Sequence, residues 1–200
     1  MKTVRKQTVS IIITIVIGLM ALVAGYLWIN MNSAKVTEQY KSGDLSSLIS
    51  SGMGVPIVNV GISFPTIWGH NIQAIVVILV MGLFSFGVLG ALVYLLNMGI
   101  IGAVLAVIQA MGKSPLKIAV YGILPHGIFE IPALILASAA VLYIGIALVT
   151  PRSQRTLGEV LIEAIADWTK IGLGLVLPLL TIAAIIETWV TPVLLSSALK

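Results

Sequence analysis

The chain has 200 residues, about the length of one domain, but its composition is not that of a soluble domain. Hydrophobic residues make up 59% of it and charged residues only 9%, whereas a soluble domain is about one quarter charged. The mean hydropathy of +1.14 excludes a disordered or collagen-like chain, and the net charge of +4 is too small for a nucleic-acid surface. The absence of cysteine excludes disulfides and thiol catalysis. The sequence therefore predicts an integral membrane protein that contacts no nucleic acid.

The first apolar stretch covers residues 9–30 and follows Lys2, Arg5 and Lys6. It is longer than the ~7–15-residue apolar core of a signal peptide, and no small-residue cleavage site follows it. A helix of this length rises roughly 30 Å, which matches the hydrocarbon thickness of a bilayer. We therefore predict an uncleaved first span whose basic start lies in the cytoplasm.

The centre of the chain predicts a loop and two spans. Residues 31–70 are polar without a basic excess, so we place them outside the cell. Residues 72–111 carry no charge, and a single helix of that length would cover roughly 60 Å, twice the bilayer core. We predict a turn near Asn97 because Asn and Gly tolerate turn conformations. The two predicted spans are residues 72–95 and 98–112.

A further long apolar run, residues 116–149, contains two prolines, Pro125 and Pro132. Proline removes a backbone donor and clashes with the preceding helical turn. The run is also longer than one span requires. We therefore predict a helix that is broken near Pro125, next to Gly127.

The last part of the chain predicts an interfacial helix and a fifth span. Residues 154–168 carry charges on one helical face and apolar side chains on another, as a helix lying along the membrane surface does. An ordinary connecting helix fits this pattern equally well. The last span is predicted over residues 171–195. The fold class is thus an all-α multi-pass transmembrane bundle of about five spans, which leaves Lys113 and Lys117 outside against the positive-inside rule.

Three ionisable residues fall within the predicted spans: His126, Glu130 and Glu187. A charge at the bilayer centre costs about 2.5 kcal/mol or more, so such residues need partners or a wet cavity. His126 and Glu130 are four residues apart and share a helix face. Counted from the outer helix ends, His126 lies about 14 Å deep and Glu187 about 12 Å deep. The sequence therefore allows the two to meet.

Three interpretations of these residues stay open. They satisfy one another or freed backbone, they line a cavity for an ion, proton or small ligand as in transporters, or they ligate a hydrolytic metal. We expect no catalytic residue, resident metal or cofactor, because a two-histidine helix motif, a phosphate-binding loop and a nucleophile elbow are absent from the sequence. The weaker polar candidates are Asn71, Asn97 and Gln109.

Three segments resemble the stage II sporulation protein M family. Residues 123–133, Ile-Leu-Pro-His-Gly-Ile-Phe-Glu-Ile-Pro-Ala, resemble its central signature. Residues 186–192, Ile-Glu-Thr-Trp-Val-Thr-Pro, resemble its closing motif, an acid followed shortly by Ser/Thr-Pro. Residues 68–71, Trp-Gly-His-Asn, resemble the start of its second span. The resemblance covers residues 9–195 and rests on the order and spacing of the three motifs.

The resemblance implies a multi-pass helical protein of the cell membrane that is not a known enzyme. In spore-forming bacteria the family member acts with partner membrane proteins, one of them peptidoglycan-degrading, during engulfment. The resemblance carries over Glu187 and the frame of Pro125 and Pro132, whereas His126 and Glu130 rest on the residue argument alone. We therefore predict a non-enzymatic scaffold or partner in an envelope complex, with a transporter or channel as the alternative and a metal-dependent hydrolase as a third.

Glycines recur between residues 82 and 102, and small residues let helices approach closely in lipid. We predict that this face binds a second copy or another membrane protein. The alternative is that the glycines pack against the chain's own helices.

Overall fold

A computed structural model describes residues 2–41, 63–150 and 156–198, which are helical apart from short connections. We number the helices α1 to α6 in chain order: Lys2–Met31, Ser33–Lys41, Phe64–Phe84, Val88–Ala110, Pro115–Val149 and Leu157–Ala198. All except α2 are long and apolar enough to cross a membrane. The chain is therefore an all-α, multi-pass helical membrane protein with five candidate spans. Most of the predicted outer loop, residues 42–62, lies outside the described residues.

The second span begins earlier than predicted, at Phe64 rather than at residue 72. Ser63 has an extended backbone, and Pro65 lies in the first turn, where its missing N–H costs no intrahelical hydrogen bond. We had assigned this proline to the loop. Its position within the first helical turn shows that it instead helps to start the span.

The turn that we predicted near Asn97 is wrong, because the chain turns at residues 85–87. Phe86 and Gly87 there have positive φ values of 53° and 92°. The Ser85 hydroxyl donates to the Met81 carbonyl at 2.6 Å and accepts from the Leu89 N–H at 2.8 Å, which closes the turn. Asn97 stays helical inside α4, where its amide donates to the Val93 carbonyl.

The fourth span, α5, is one continuous helix from Pro115 to Val149, so the predicted break near Pro125 is wrong, and a π-helical turn at Ala119–Ile123 precedes the proline instead. In this turn the Leu124 N–H donates to the Ala119 carbonyl, five residues back. A π turn widens the helix just before the Pro125 ring, where the ring would otherwise meet the preceding turn. The chain therefore accommodates Pro125 without separating into two half-helices.

The predicted interfacial helix is not a separate element, because it forms the start of α6. A capping box begins the helix: the Thr156 hydroxyl accepts from the Glu159 N–H, and the Glu159 carboxylate accepts from the Thr156 N–H. Val160 and Ala164 are buried on its inner face. No turn residue ends the helix near Trp168, and Gly172 keeps a right-handed helical backbone, so the helix runs on into the fifth span.

Helix α5 is the centre of the bundle. In its most apolar 18 residues 56% are buried, compared with 17–28% in the other four spans. The core joins α3, α4, α5 and α6 through fully buried side chains, namely Ile78, Tyr94, Val141 and Leu180.

The glycines of the predicted partner-binding face pack inside the chain. An added Cβ at Gly102 would lie 1.9 Å from the Leu22 carbonyl oxygen of α1, and one at Gly90 would lie 2.5 Å from the Ile78 carbonyl oxygen. Gly25 likewise approaches the backbone of Gly99. These contacts favour the alternative of internal packing, and they bring α1 against α4 along much of its length.

Candidate intramembrane polar site

The three ionisable residues singled out from the sequence come together in the structure. His126 and Glu130 lie on one face of α5, and Glu187 lies in the last π turn of α6, Ile186–Val190. One ligand-capable atom from each side chain falls within 4.8 Å of the other two. We call these residues the polar trio.

The histidine of the trio contacts a different residue with each ring nitrogen. Nδ1 lies 3.4 Å from the Thr191 hydroxyl, and Nε2 lies 3.9 Å from a Glu130 carboxylate oxygen. Thr191 itself is 7% exposed. An Nδ1–H that donates to Thr191 leaves the Nε2 lone pair free, 3.9 Å from the Glu130 carboxylate. The ring is therefore oriented by a residue outside the trio.

Three π turns precede three prolines, and two of them adjoin the polar trio. The π turns Ala119–Ile123, Gly172–Val176 and Ile186–Val190 each end two residues before Pro125, Pro178 or Pro192. The helix is thus widened in the turn before each proline, where the proline ring would otherwise clash. The last turn carries Glu187, and the first ends three residues before His126. The prolines therefore determine the local backbone from which the trio projects.

An aromatic group fastens the start of α3 to α6. Phe64 stacks on Trp68 and on Trp189, with ring centroids 6.5 Å and 5.8 Å apart. The Trp68 indole N–H donates to the Thr181 hydroxyl at 3.1 Å. Trp68 and Trp189 belong to the first and last sequence motifs, so these two motifs are neighbours in space. This contact holds α6 on the side from which Glu187 reaches α5.

The other predicted polar residues have separate places. The Gln109 side-chain oxygen accepts from the Tyr26 hydroxyl, between α1 and α4. Asn97 bonds its own helix, as described above. Asn71 is buried on α3, and its amide nitrogen finds no hydrogen-bond partner among the described residues. The hydrogen bonds of Gln109 and Asn97 described here are therefore made away from the trio.

The prolines and glycine predicted to break the helix also differ in role. Pro125 follows the π turn, whereas Pro132 lies inside regular α-helix. Gly127 is buried and helical, and an added Cβ there would make ordinary contacts of 3.7 Å with Ile123 and Ile131. Pro125 is thus the residue of this group whose position coincides with the helix distortion.

The sequence predicts no contact for Thr191, the threonine of the closing motif, or for Thr181, which lie against His126 and accept from Trp68 respectively. Thr191 lies four residues after Glu187, so it shares a helix face with an acid already singled out. That spacing is a signal that could have identified it. Thr181 has no such neighbour, and its role follows only from the packing of α3 against α6.

The trio places two carboxyl groups and one imidazole between two membrane helices. Neither α5 after Lys117 nor α6 after Lys170 contains a lysine or arginine up to residue 198. Within these two spans, the positive charge that can balance the carboxylates comes from the imidazole, a proton or a bound cation. The arrangement can therefore hold a proton or a cation, or join the two helices by hydrogen bonds.

A sequence model of the family described as "Stage II sporulation protein M" matches residues 10–192. The chain is also 30% identical over 187 residues to "Uncharacterized protein MJ0793" of Methanocaldococcus jannaschii, a match that covers 92% of this chain and 94% of that protein. No solved structure matches the chain. The match of the family model over most of the chain, including all three motifs, shows that the protein belongs to the stage II sporulation protein M family.

Proposed function

We propose that the protein is a non-enzymatic component of the cell membrane that acts by binding other membrane proteins in an envelope complex. Its family is described by a sporulation stage. The observation that carries the proposal is the contact of the polar trio with itself and with Thr191 across α5 and α6. Such contacts fix how two helices pack, as a buried polar residue fixes the register of a coiled coil.

Two cavities among the described residues lie away from the trio. One is lined by residues of α1, α5 and α6 that include Gln7 and Trp168, and another is lined by α2 residues with Ala110. Neither is lined by a member of the trio. The trio thus joins two helices within a packed bundle, and the bundle offers partners a fixed outer surface.

Helix α1 presents an outward apolar face along most of its length. It packs mainly on α4 and α5, so one side along its length stays open to lipid or to a partner. The exposed apolar side chains of α1 include Val9, Ile12, Ile13, Val16, Leu19, Met20, Val23 and Leu27. We place the partner-binding surface on this face.

Site-specific photo-crosslinking in intact cells tests this function. A photoreactive residue at Met20, which is 66% exposed on α1, is expected to form a discrete adduct with one other membrane protein. The matched control is Leu173, 65% exposed on α6, which is expected to yield lipid adducts only. Lipid adducts alone at both positions would contradict the proposal.

A second candidate function is cation or proton transport. The trio favours it because ionisable groups lie beside π turns in two membrane helices, and distorted helices at the membrane midplane form the sites of many transporters. Flux measured in proteoliposomes tests this candidate. A flux in the wild-type protein that is lost in Glu187→Gln would favour transport over the scaffold.

A further inference from the structure

We propose that the polar trio binds one divalent transition-metal ion, of the Zn²⁺ class, which links α5 to α6. The ligands are one imidazole nitrogen from His126 and one carboxylate oxygen each from Glu130 and Glu187. This proposal does not depend on the protein's partners. It concerns a resident ion rather than a transported one, and the geometry of the trio leads us to replace the sequence-based expectation of no resident metal.

The geometry of the trio is close to that of a metal site. Zinc bonds nitrogen and oxygen ligands at about 2.0–2.1 Å, so ligand atoms in a tetrahedral site lie about 3.3 Å apart. His126 Nε2 lies 3.9 Å from Glu130, and the three ligand-capable atoms lie within 4.8 Å of one another. Side-chain rotations that move each atom by about 1 Å close the site. Two ligands spaced four apart on one helix are also the arrangement of known helical zinc motifs.

The contact between His126 and Thr191 is a second observation that points to a metal. A metal-binding histidine nearly always donates its other ring N–H to a neighbouring acceptor, which fixes the tautomer and the ring orientation. Here Nδ1 lies 3.4 Å from the Thr191 hydroxyl, so Nε2, which lies 3.9 Å from Glu130, is the nitrogen left free to bind the ion. The residue that orients the ligand is thus already in place.

The charge of the trio also matches a divalent ion. Two ionised carboxylates and a neutral imidazole carry a charge of −2, which a divalent cation neutralises. An electroneutral site avoids the cost of a net charge between two membrane helices that supply no lysine or arginine there. One imidazole with two carboxylates favours Zn²⁺, Mn²⁺ or Fe²⁺ over Mg²⁺ and Ca²⁺, which take all-oxygen sites, and over soft ions that need sulfur.

Metal titration of the full-length protein, purified without a histidine tag and treated with chelator, tests the proposal. We expect one Zn²⁺ per chain, no binding of Mg²⁺ at the same concentration, and visible Co²⁺ absorption bands of a low-symmetry site. At 100 times its dissociation constant, Zn²⁺ is expected to raise the melting temperature by about 5–10 °C. No Zn²⁺ uptake and no Co²⁺ bands in the folded wild-type protein would overturn the proposal without any variant.

Variants locate the ion. His126→Gln and Glu187→Gln are expected to abolish Zn²⁺ uptake, and Thr191→Val is expected to weaken it by about 10–100-fold through loss of the orienting contact. His70→Gln, at an exposed histidine of α3, is the matched control and is expected to bind like the wild type. Full binding in the two trio variants with loss in His70→Gln would place the ion elsewhere and contradict the assignment. Loss of the ion with unchanged partner crosslinking would leave the scaffold function standing.

Discussion

Replacements of Glu187 test whether its carboxyl group has a polar partner between α5 and α6. Glu187→Leu removes a polar group that lies within reach of His126 and Glu130 between two helices, and it leaves those groups facing an alkyl chain. Glu187→Gln keeps the side-chain length and the hydrogen-bonding oxygen while removing the charge. Both variants are compared in chelator-treated protein, so that bound metal does not contribute.

The expected magnitude follows from the two lost contacts. An unsatisfied buried polar group costs about 1–3 kcal/mol in water-soluble proteins, but polar contacts between membrane helices average only about 0.6 kcal/mol. For two partners left partly exposed, as His126 and Glu130 are at 13% and 27%, we expect Glu187→Leu to lower the free energy of unfolding by about 1–2 kcal/mol. For a chain of this length that loss corresponds to about 2–8 °C in melting temperature.

Thermal unfolding in one detergent, followed by loss of soluble monomer, measures this effect. Glu187→Gln is expected to lower the free energy of unfolding by no more than about 0.3 kcal/mol. Its melting temperature should therefore lie within about 1 °C of the wild-type value. Glu38→Leu, at an exposed acid of α2 that forms no ion pair with another described residue, is the control for losing a carboxylate. If Glu187→Leu, Glu187→Gln and the wild type have the same melting temperature, Glu187 has no partner in the bundle and the prediction is wrong.

Three further changes test orientation, packing and capping. A cysteine at Ser47 is expected to react with an impermeant thiol reagent only from outside the cell, because the basic N terminus stays in the cytoplasm; labelling from the cytoplasmic side alone would invert the topology. Gly102→Ala is expected to cost about 1–3 kcal/mol in a melting assay because the new Cβ overlaps the Leu22 carbonyl, whereas Gly69→Ala, with nothing within 4 Å, is neutral; equal melting would contradict the α1–α4 contact. Thr156→Ala removes a helix cap and is expected to cost about 1 kcal/mol, read by the same assay, and an unchanged value would show that the cap does not limit stability.

The sequence predicts the class and the number of spans because composition and helix length are direct physical constraints. A span needs about 20 apolar residues, so four apolar runs, one of them long enough for two spans, predict five spans without knowledge of packing. The sequence also predicts similar depths for His126 and Glu187, because the depth of a residue follows from counting residues from the predicted end of its helix. These predictions require only the rise per residue of a helix.

The turn between the second and third spans shows where local signals mislead. Asn97 and Gly99 have turn propensity, yet Asn97 bonds the backbone of its own helix and Gly99 lets α1 approach α4. The turn lies instead at Phe86, a residue with no turn preference, whose positive φ is stabilised by Gly87 beside it and by the Ser85 bridge. Helix length was the better guide, since a turn there yields two spans of 21 and 23 residues.

The prolines show a second limit of sequence reasoning. Pro125 predicts a broken helix, but the helix is continuous and contains a π turn just before the proline. Sequence rules for proline describe what α-helical geometry cannot hold, and they do not state which alternative geometry replaces it. The same uncertainty hid the role of Thr191, whose position depends on the π turn immediately before it.

The central claim is that the polar trio joins α5 to α6. An experimental density map of the full-length protein in a lipid bilayer, at a resolution that shows side chains, tests it most directly. The account predicts that ligand-capable atoms of His126, Glu130 and Glu187 lie within about 5 Å of one another, with Thr191 beside the imidazole, since the spacing in the structure is 4.8 Å. A map in which Glu187 points into lipid, away from His126, would contradict it.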